Sequence, residues 1–281
     1  MTGTTTRPAD DAPVSPAGPP DVSPLRRARY RLRTYASEHP PLYLAYVRRK
    51  WTQHDVEVID SRTELVIDGF TRSASTFSVY AFQLSQHRPV RLAHHLHAPA
   101  QLIQAARWGI PAIALIREPR GAILSRHARW PDAALADALV AYARFYERLR
   151  PYRSSLVVGE FETVTHDFGA LVRQLNERYG TDFTPFASND ANMRECLEFC
   201  KLRATFAPVL LGFESGLVTR DQVRSERPAI ARGAVVDERE AFVPSAHRDQ
   251  QKEALRCQWQ QASLNKLRSR AQRAYEEFVA G

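Results

Sequence analysis

The chain has 281 residues, 44% hydrophobic and 25% charged, and its 39 basic against 31 acidic side chains give a formal net charge of +8. A chain of this length and composition buries a substantial core as one large domain or two small ones, which excludes wholesale disorder. Its three cysteines, with no CxxC pair, exclude both a disulfide framework and a four-cysteine zinc site. No apolar run approaches the roughly 20 residues that cross a bilayer, and no apolar leader heads the chain, so the expectation is a cytoplasmic protein without a transmembrane segment. Arginine outnumbers lysine 35 to 4, which fits a GC-rich, bacterial coding sequence. The basic surplus is concentrated, because Arg26 to Lys50 holds eight basic residues and one acid while the rest is nearly balanced. It reads as a local arm rather than the footprint of a nucleic-acid binder.

Residues 1 to 24 are rich in Pro, Thr and Ala and are expected to be a disordered tail. From 25 to 55 follows the basic arm, where arginines and tyrosines surround Pro40-Pro41 and predict two short helices with aromatics turned onto the body. From 64 to 183 short apolar runs (64 to 70, 90 to 95, 111 to 118, 155 to 161) alternate with helical periodicity (75 to 87, 99 to 109, 120 to 130, 133 to 150, 167 to 180). That alternation predicts an α/β fold, a doubly wound parallel sheet of about four to five strands flanked by helices. Helices are expected to end on Gly109 and Gly180, and one to start on Asp167. Beyond 187, helix is expected over 191 to 206 and 245 to 280, with irregular loop from 207 to 244. Residues 25 to 281 thus read as a single domain of arm, core and helical C-terminal region.

The turn after the first strand reads Thr71-Arg72-Ser73-Ala74-Ser75-Thr76-Phe77 and leads into a helix. Backbone N–H groups, small hydroxyls and a cation at a helix N-terminus form an anion cradle. The segment departs from the Walker A pattern, since Ala74 stands for its second Gly and Ser75 for its Lys. If the cradle needs a positive φ at position 74, alanine strains it by about 1 kcal/mol. Arg117 lies at the tip of the third strand with Ser125 eight residues on, so both can face one anion if the chain doubles back near Pro119. The second strand ends in His94, His95 and His97; strand alternation puts His95 and His97 on one face and His94 on the other. Three histidines at the edge that carries both anion loops point to an active-site role. Glu160 and Glu162 are expected to share a face of the fourth strand. Cys196 and Cys200 fit buried packing, and Trp108, Trp130 and Trp259 fit core or interface packing.

The two loops together resemble the sulfotransferase family that uses 3′-phosphoadenosine 5′-phosphosulfate (PAPS), over roughly residues 64 to 180. The resemblance implies a P-loop-like fold in which residues 72 to 77 hold the 5′-phosphosulfate and Arg117 and Ser125 the 3′-phosphate. The element Arg117-Glu118-Pro119-Arg120 followed by Ser125 keeps the family spacing. Thr71, Ala74 and Phe161 stand where the family commonly has Pro, Gly and Tyr. The family's C-terminal basic motif has its nearest counterpart in Arg232-Gly233. By position the base is His95, then His97. The implied function is sulfuryl transfer from PAPS, without a metal, to a hydroxyl (less readily an amine) of a small-molecule, lipid or sugar acceptor. The product is adenosine 3′,5′-bisphosphate. The alternatives are a divergent P-loop kinase, disfavoured because no lysine lies near either loop, and a non-catalytic anion-binding protein using the basic arm. No nucleic-acid partner is expected; peripheral membrane contact through the arm and a dimeric state are both left open.

Overall fold

The computed structural model describes residues 22–50, 56–233, 242–243 and 245–281. The expected tail therefore lies outside the described residues except for its last three, which are ordered: Ser23 caps helix α1 (Pro24–Ala36). Residues 51–55 of the arm and 234–241 of the C-terminal region also lie outside. After Pro40 the chain starts α2 (Pro40–Lys50), so the arm is the expected pair of short helices. Tyr43 is buried and Tyr30 half-buried, whereas Tyr35 and Tyr46 face outward, so only part of the aromatic set packs inward.

The core elements follow in order: β1 (Leu65–Gly69), α3 (Ser75–Ser85), β2 (Leu92–His94), α4 (Pro99–Trp108), β3 (Ala112–Ile116), α5 (Pro119–Arg129), α6 (Leu135–Leu149), β4 (Val157–Glu160), α7 (Phe161–His166) and α8 (Phe168–Tyr179). The strands form one all-parallel sheet in the order β2-β1-β3-β4, with Ile67 opposite both His94 and Ile113, and Ile116 opposite Glu160. The strands are buried on both faces, which is why they read as continuous apolar runs. Alternate residues enter two cores. Val66, Ala114 and Ile116 pack with α4, α6 and the C-terminal helix, while Leu65, Ile67, Ile113 and Leu115 pack with α3 and α8. Helices thus cover both faces of the sheet, as the doubly wound reading expects. The helix punctuation is also as expected: Gly109 and Gly180 take left-handed φ of 69° and 66°, and Asp167 accepts a hydrogen bond from Ala170 N.

The C-terminal region departs from expectation. Helix α9 (Asp190–Leu202) is followed by α10 (Pro208–Glu214) and α11 (Arg220–Gly233), where an irregular loop is expected from the sequence. These helices hide from a periodicity search because α11 buries only Val223 and carries Pro228 internally. The chain ends in α12 (Ala246–Ala254), α13 (Arg256–Trp259) and α14 (Asn265–Ala280), the last packed along α6. Trp108 and Trp130 are half exposed at helix ends rather than in the core, whereas Cys196 and Cys200 are buried.

Candidate functional site

The chain runs from β1 to β2 on one side and then crosses to β3 on the other, so the order reverses between β1 and β3. The loops leaving these two strands diverge there, opening a crevice at their C-terminal ends where ligands of open α/β sheets bind. Gly69 sits at that point because no side chain fits: a Cβ would lie 2.2 Å from the Leu115 carbonyl oxygen.

In the β1 loop, Arg72 and Ala74 both adopt left-handed backbone, with φ of 71° and 69°. Each costs roughly 1 to 2 kcal/mol for a residue bearing a Cβ. Ala74 is the N-cap of α3 and offers no side-chain cap, so the first N–H groups of the helix are left for another acceptor. Around them, the Thr71 and Ser75 hydroxyls are buried with no hydrogen-bond partner among the described residues. Ser73 is fully buried in the same loop. Thr76 Oγ1 lies 3.2 Å from His95 Nε2, and Phe77 packs edge-on against Phe186 in the core.

Arg72 Nε donates to Ser125 Oγ at 3.0 Å, which joins the two anion loops directly. Arg117 reaches the same loop from β3. Its guanidinium stacks on the Phe161 ring at 3.8 Å and points toward the Arg72 carbonyl oxygen, 3.5 Å away. Gly121 makes room for it, since a Cβ there would meet Glu118 Oε1 at 2.2 Å and Arg117 Nε at 2.8 Å. Glu118 itself caps α5 by accepting from Gly121 N. Burial pulls the Arg72 guanidinium down to about 9, and the nearby charges of Arg248, Arg129 and Arg117 push the same way. Burial lowers Arg117 as well. Among the described residues no carboxylate pairs with Arg72.

Arg248, buried on α12 where that helix packs on α5, and Arg129, at the end of α5, are members of this cluster that the sequence alone does not reveal. Arg232 and Gly233 are exposed at the end of α11, so the structure does not bring that pair into the cluster. Glu160 and Glu162 do not share a strand face, because the strand ends at Glu160 and Phe161 opens α7. Glu160 accepts from the Tyr275 hydroxyl at 2.9 Å.

The three histidines come together instead of splitting across a strand, because β2 ends at His94 and both His95 (φ 57°) and His97 (φ 53°) are left-handed. His94 Nδ1 and His95 Nδ1 lie 2.7 Å apart and share one proton. Burial, followed by the positive charge of Arg203, lowers His94 to about 3 and His95 well below the usual histidine range, so both are neutral. Both nitrogens of His95 are thus engaged. His97 differs: its Nδ1 lies 2.9 Å from the Gly69 carbonyl, which can only accept, so Nδ1 donates there, and the same nitrogen lies 3.5 Å from Asp68 Oδ1, while Nε2 has no partner of this kind among the described residues. The buried Asp68 carboxylate holds the His97 backbone N–H at 3.1 Å and is itself held by Gln101 Nε2 at 3.1 Å. Neither Asp68 nor Gln101 carries a motif that marks it in the sequence.

His95 and His97 line a cavity of about 420 Å³ whose other walls are Thr71 and Phe70 from the β1 loop and Tyr30, Glu38 and Tyr43 from the arm. The arm is tied down by charge: Arg27 and Arg31 donate to the buried Asp137 at 2.8 and 2.7 Å, and Glu38 pairs with Arg144. His94, His95 and Glu214 also lie within metal-chelating distance of one another. Glu214 is ion-paired to the buried Arg203 at 2.9 Å, and a cation beside that guanidinium is opposed by its charge. The site therefore combines arginines at a helix N-terminus, a cavity beside them and an imidazole at the boundary. Compared with known proteins, the chain matches no family model, no curated protein and no solved structure.

Proposed function

We propose that the chain is a PAPS-dependent sulfotransferase, and the observation that carries the reading is the convergence of Arg72, Arg117, Arg129 and Arg248 on one crevice with no carboxylate against Arg72. A buried Arg72 with no carboxylate partner, set among other positive charges, favours an anion, and the unbonded Thr71 and Ser75 hydroxyls and the α3 N-terminus add donors that suit phosphate or sulfate oxygens. Two anion loops joined through Arg72 and Ser125 suit a ligand with phosphates at two ends, as PAPS has. When bound, PAPS supplies the sulfuryl group and departs as adenosine 3′,5′-bisphosphate.

The residues of the chain then divide the work. Arg72 and the N–H groups opening α3 neutralise charge on the 5′ side, while Arg117, Arg129, Arg248 and Ser125 bind the 3′ side. The 420 Å³ cavity takes a hydroxyl-bearing acceptor, a small molecule or the head of a lipid or sugar. His97 Nε2 accepts the hydroxyl proton, in preference to His95, whose two nitrogens are already bonded within the protein. Asp68 positions His97 from the Nδ1 side, through the backbone N–H at 3.1 Å and the ring Nδ1 at 3.5 Å.

The reading is tested by thermal denaturation with millimolar adenosine 3′,5′-bisphosphate. A rise in Tm that is lost in Arg117→Ala and kept in His97→Ala supports it. No rise in the wild-type protein, or an equal rise with Mg²⁺ and ATP alone, overturns it.

A further inference from the structure

The arm also carries exposed apolar side chains on both of its helices. Leu25, Leu32 and Tyr35 on α1 and Leu42 and Tyr46 on α2 are between 54% and 78% exposed, although each is large and apolar. Spacings of seven and three residues put the first three on one face of α1, and a spacing of four pairs the last two on α2. Around them stand Arg26, Arg29, Arg49 and Lys50, all exposed. The opposite side of α1 faces the body, where Arg27 and Arg31 clamp Asp137 and Tyr30 walls the cavity. Helix α1 has no fully buried residue: Tyr30 and Ala36 pack partly on the body, while Leu25 and Leu32 project outward at 71% and 69% exposure. With the basic residues around them they form a cationic, leucine-bearing outer face.

We infer that this face docks the protein on an anionic lipid surface, with the leucines entering the acyl boundary and the arginines and lysine meeting the headgroups. Charge decides among the occupants. A symmetric contact with a second copy would set one strongly positive arm, net +7 between Arg26 and Lys50, against another. A polynucleotide would satisfy the cations but leave the leucine side chains exposed or desolvated against phosphates. An anionic membrane meets both halves of the face. No helix among the described residues is long and apolar enough to cross a bilayer, so the contact lies on the surface. Because the inner side of the same helices walls the cavity, docking brings that cavity to the lipid–water boundary. The docking itself does not depend on the reaction proposed above.

The test is co-sedimentation of the full chain with phosphatidylcholine vesicles, with and without one phosphatidylglycerol in three lipids. Anionic vesicles are expected to bind about tenfold or more tightly than neutral ones. The triple variant Leu25→Ser/Leu32→Ser/Leu42→Ser should lose about tenfold while its Tm is unchanged, since these side chains are exposed. Arg26→Glu/Arg29→Glu/Arg49→Glu should abolish binding to anionic vesicles. Equal binding to neutral and anionic vesicles overturns the proposal, as does full binding by the leucine variant. Conversion of a dimer to a monomer by that variant, measured by ultracentrifugation, assigns the face to self-association and overturns it too. Tighter binding to duplex DNA than to anionic vesicles, insensitive to the leucines, assigns it to nucleic acid with the same result.

Discussion

Arg72 Nε and Ser125 Oγ are joined by a 3.0 Å hydrogen bond across 53 residues of sequence, from the turn after β1 to the middle of α5. Ser125 is 2% exposed, so this bond is sheltered from water and fixes where the arginine points. Ser125→Ala removes the only side-chain acceptor that Arg72 has among the described residues. A hydrogen bond to a charged group contributes about 1.5 to 3 kcal/mol, so affinity for adenosine 3′,5′-bisphosphate should fall roughly 10- to 100-fold by calorimetry. An unchanged Kd would show that Arg72 is oriented by other means.

Two glycines separate backbone cost from site cost. Gly121→Ala drives a methyl group into Glu118 and Arg117, so it should lower Tm and abolish nucleotide stabilisation. Gly109→Ala meets no atom within 4 Å and pays only for its positive φ, about 1 kcal/mol. Its response to nucleotide should match wild type. Parallel thermal titrations of both variants provide the comparison.

Asp68 meets His97 at both the backbone N–H and the ring Nδ1, and in the proposed reaction His97 acts through Nε2. Asp68→Asn turns an acceptor into a donor facing the His97 N–H or the Gln101 amide, so turnover should fall about tenfold or more with KM for the acceptor little changed. His97→Asn should remove turnover while leaving the nucleotide-induced Tm shift intact. His95→Asn, which breaks the bonds to His94 and Thr76, should instead lower stability, by about 1 to 3 kcal/mol in urea titration. Greater turnover loss in His95→Asn than in His97→Asn would reverse the assignment of the base.

Buried neutral histidines also set a pH dependence. His94 falls to about 3 in the folded protein, against about 6.5 when unfolded. Between those values the unfolded chain binds a proton that the folded chain does not, so stability is full above about pH 6.5 and declines as pH falls toward 3. His94 alone should cost about 2 kcal/mol between pH 6.5 and 5, at about 1.4 kcal/mol per unit. Urea midpoints at pH 7 and 5 should differ accordingly, and His94→Gln should reduce that difference.

The local grammar of the chain was readable. Apolar runs of the right length became β1 to β4, and Gly109, Gly180 and Asp167 punctuate helices as their φ freedom and capping chemistry require. Arg72, Arg117 and Ser125 were legible because strand tips in a doubly wound sheet share one edge. The loop expected at 207 to 244 failed as a reading because α10 is only seven residues long, too short to show a helical period, and α11 is nearly all polar and buries only Val223.

Sequence by itself determined the four strands with most of their connecting helices, and that two cationic loops leave the sheet on its C-terminal side, since these follow from periodicity, capping and strand order within a few tens of residues. Tertiary structure alone decided which groups meet. The charge of Arg248 acts on Arg72 because α12 packs on α5, and nothing within its own segment announces that packing. The histidines converge because left-handed backbone at 95 and 97 breaks the alternation a strand would impose. Asp68, buried in β1, holds that distorted loop in place. Such convergence is paid in backbone strain and charge repulsion, which only contacts distant in sequence can offset.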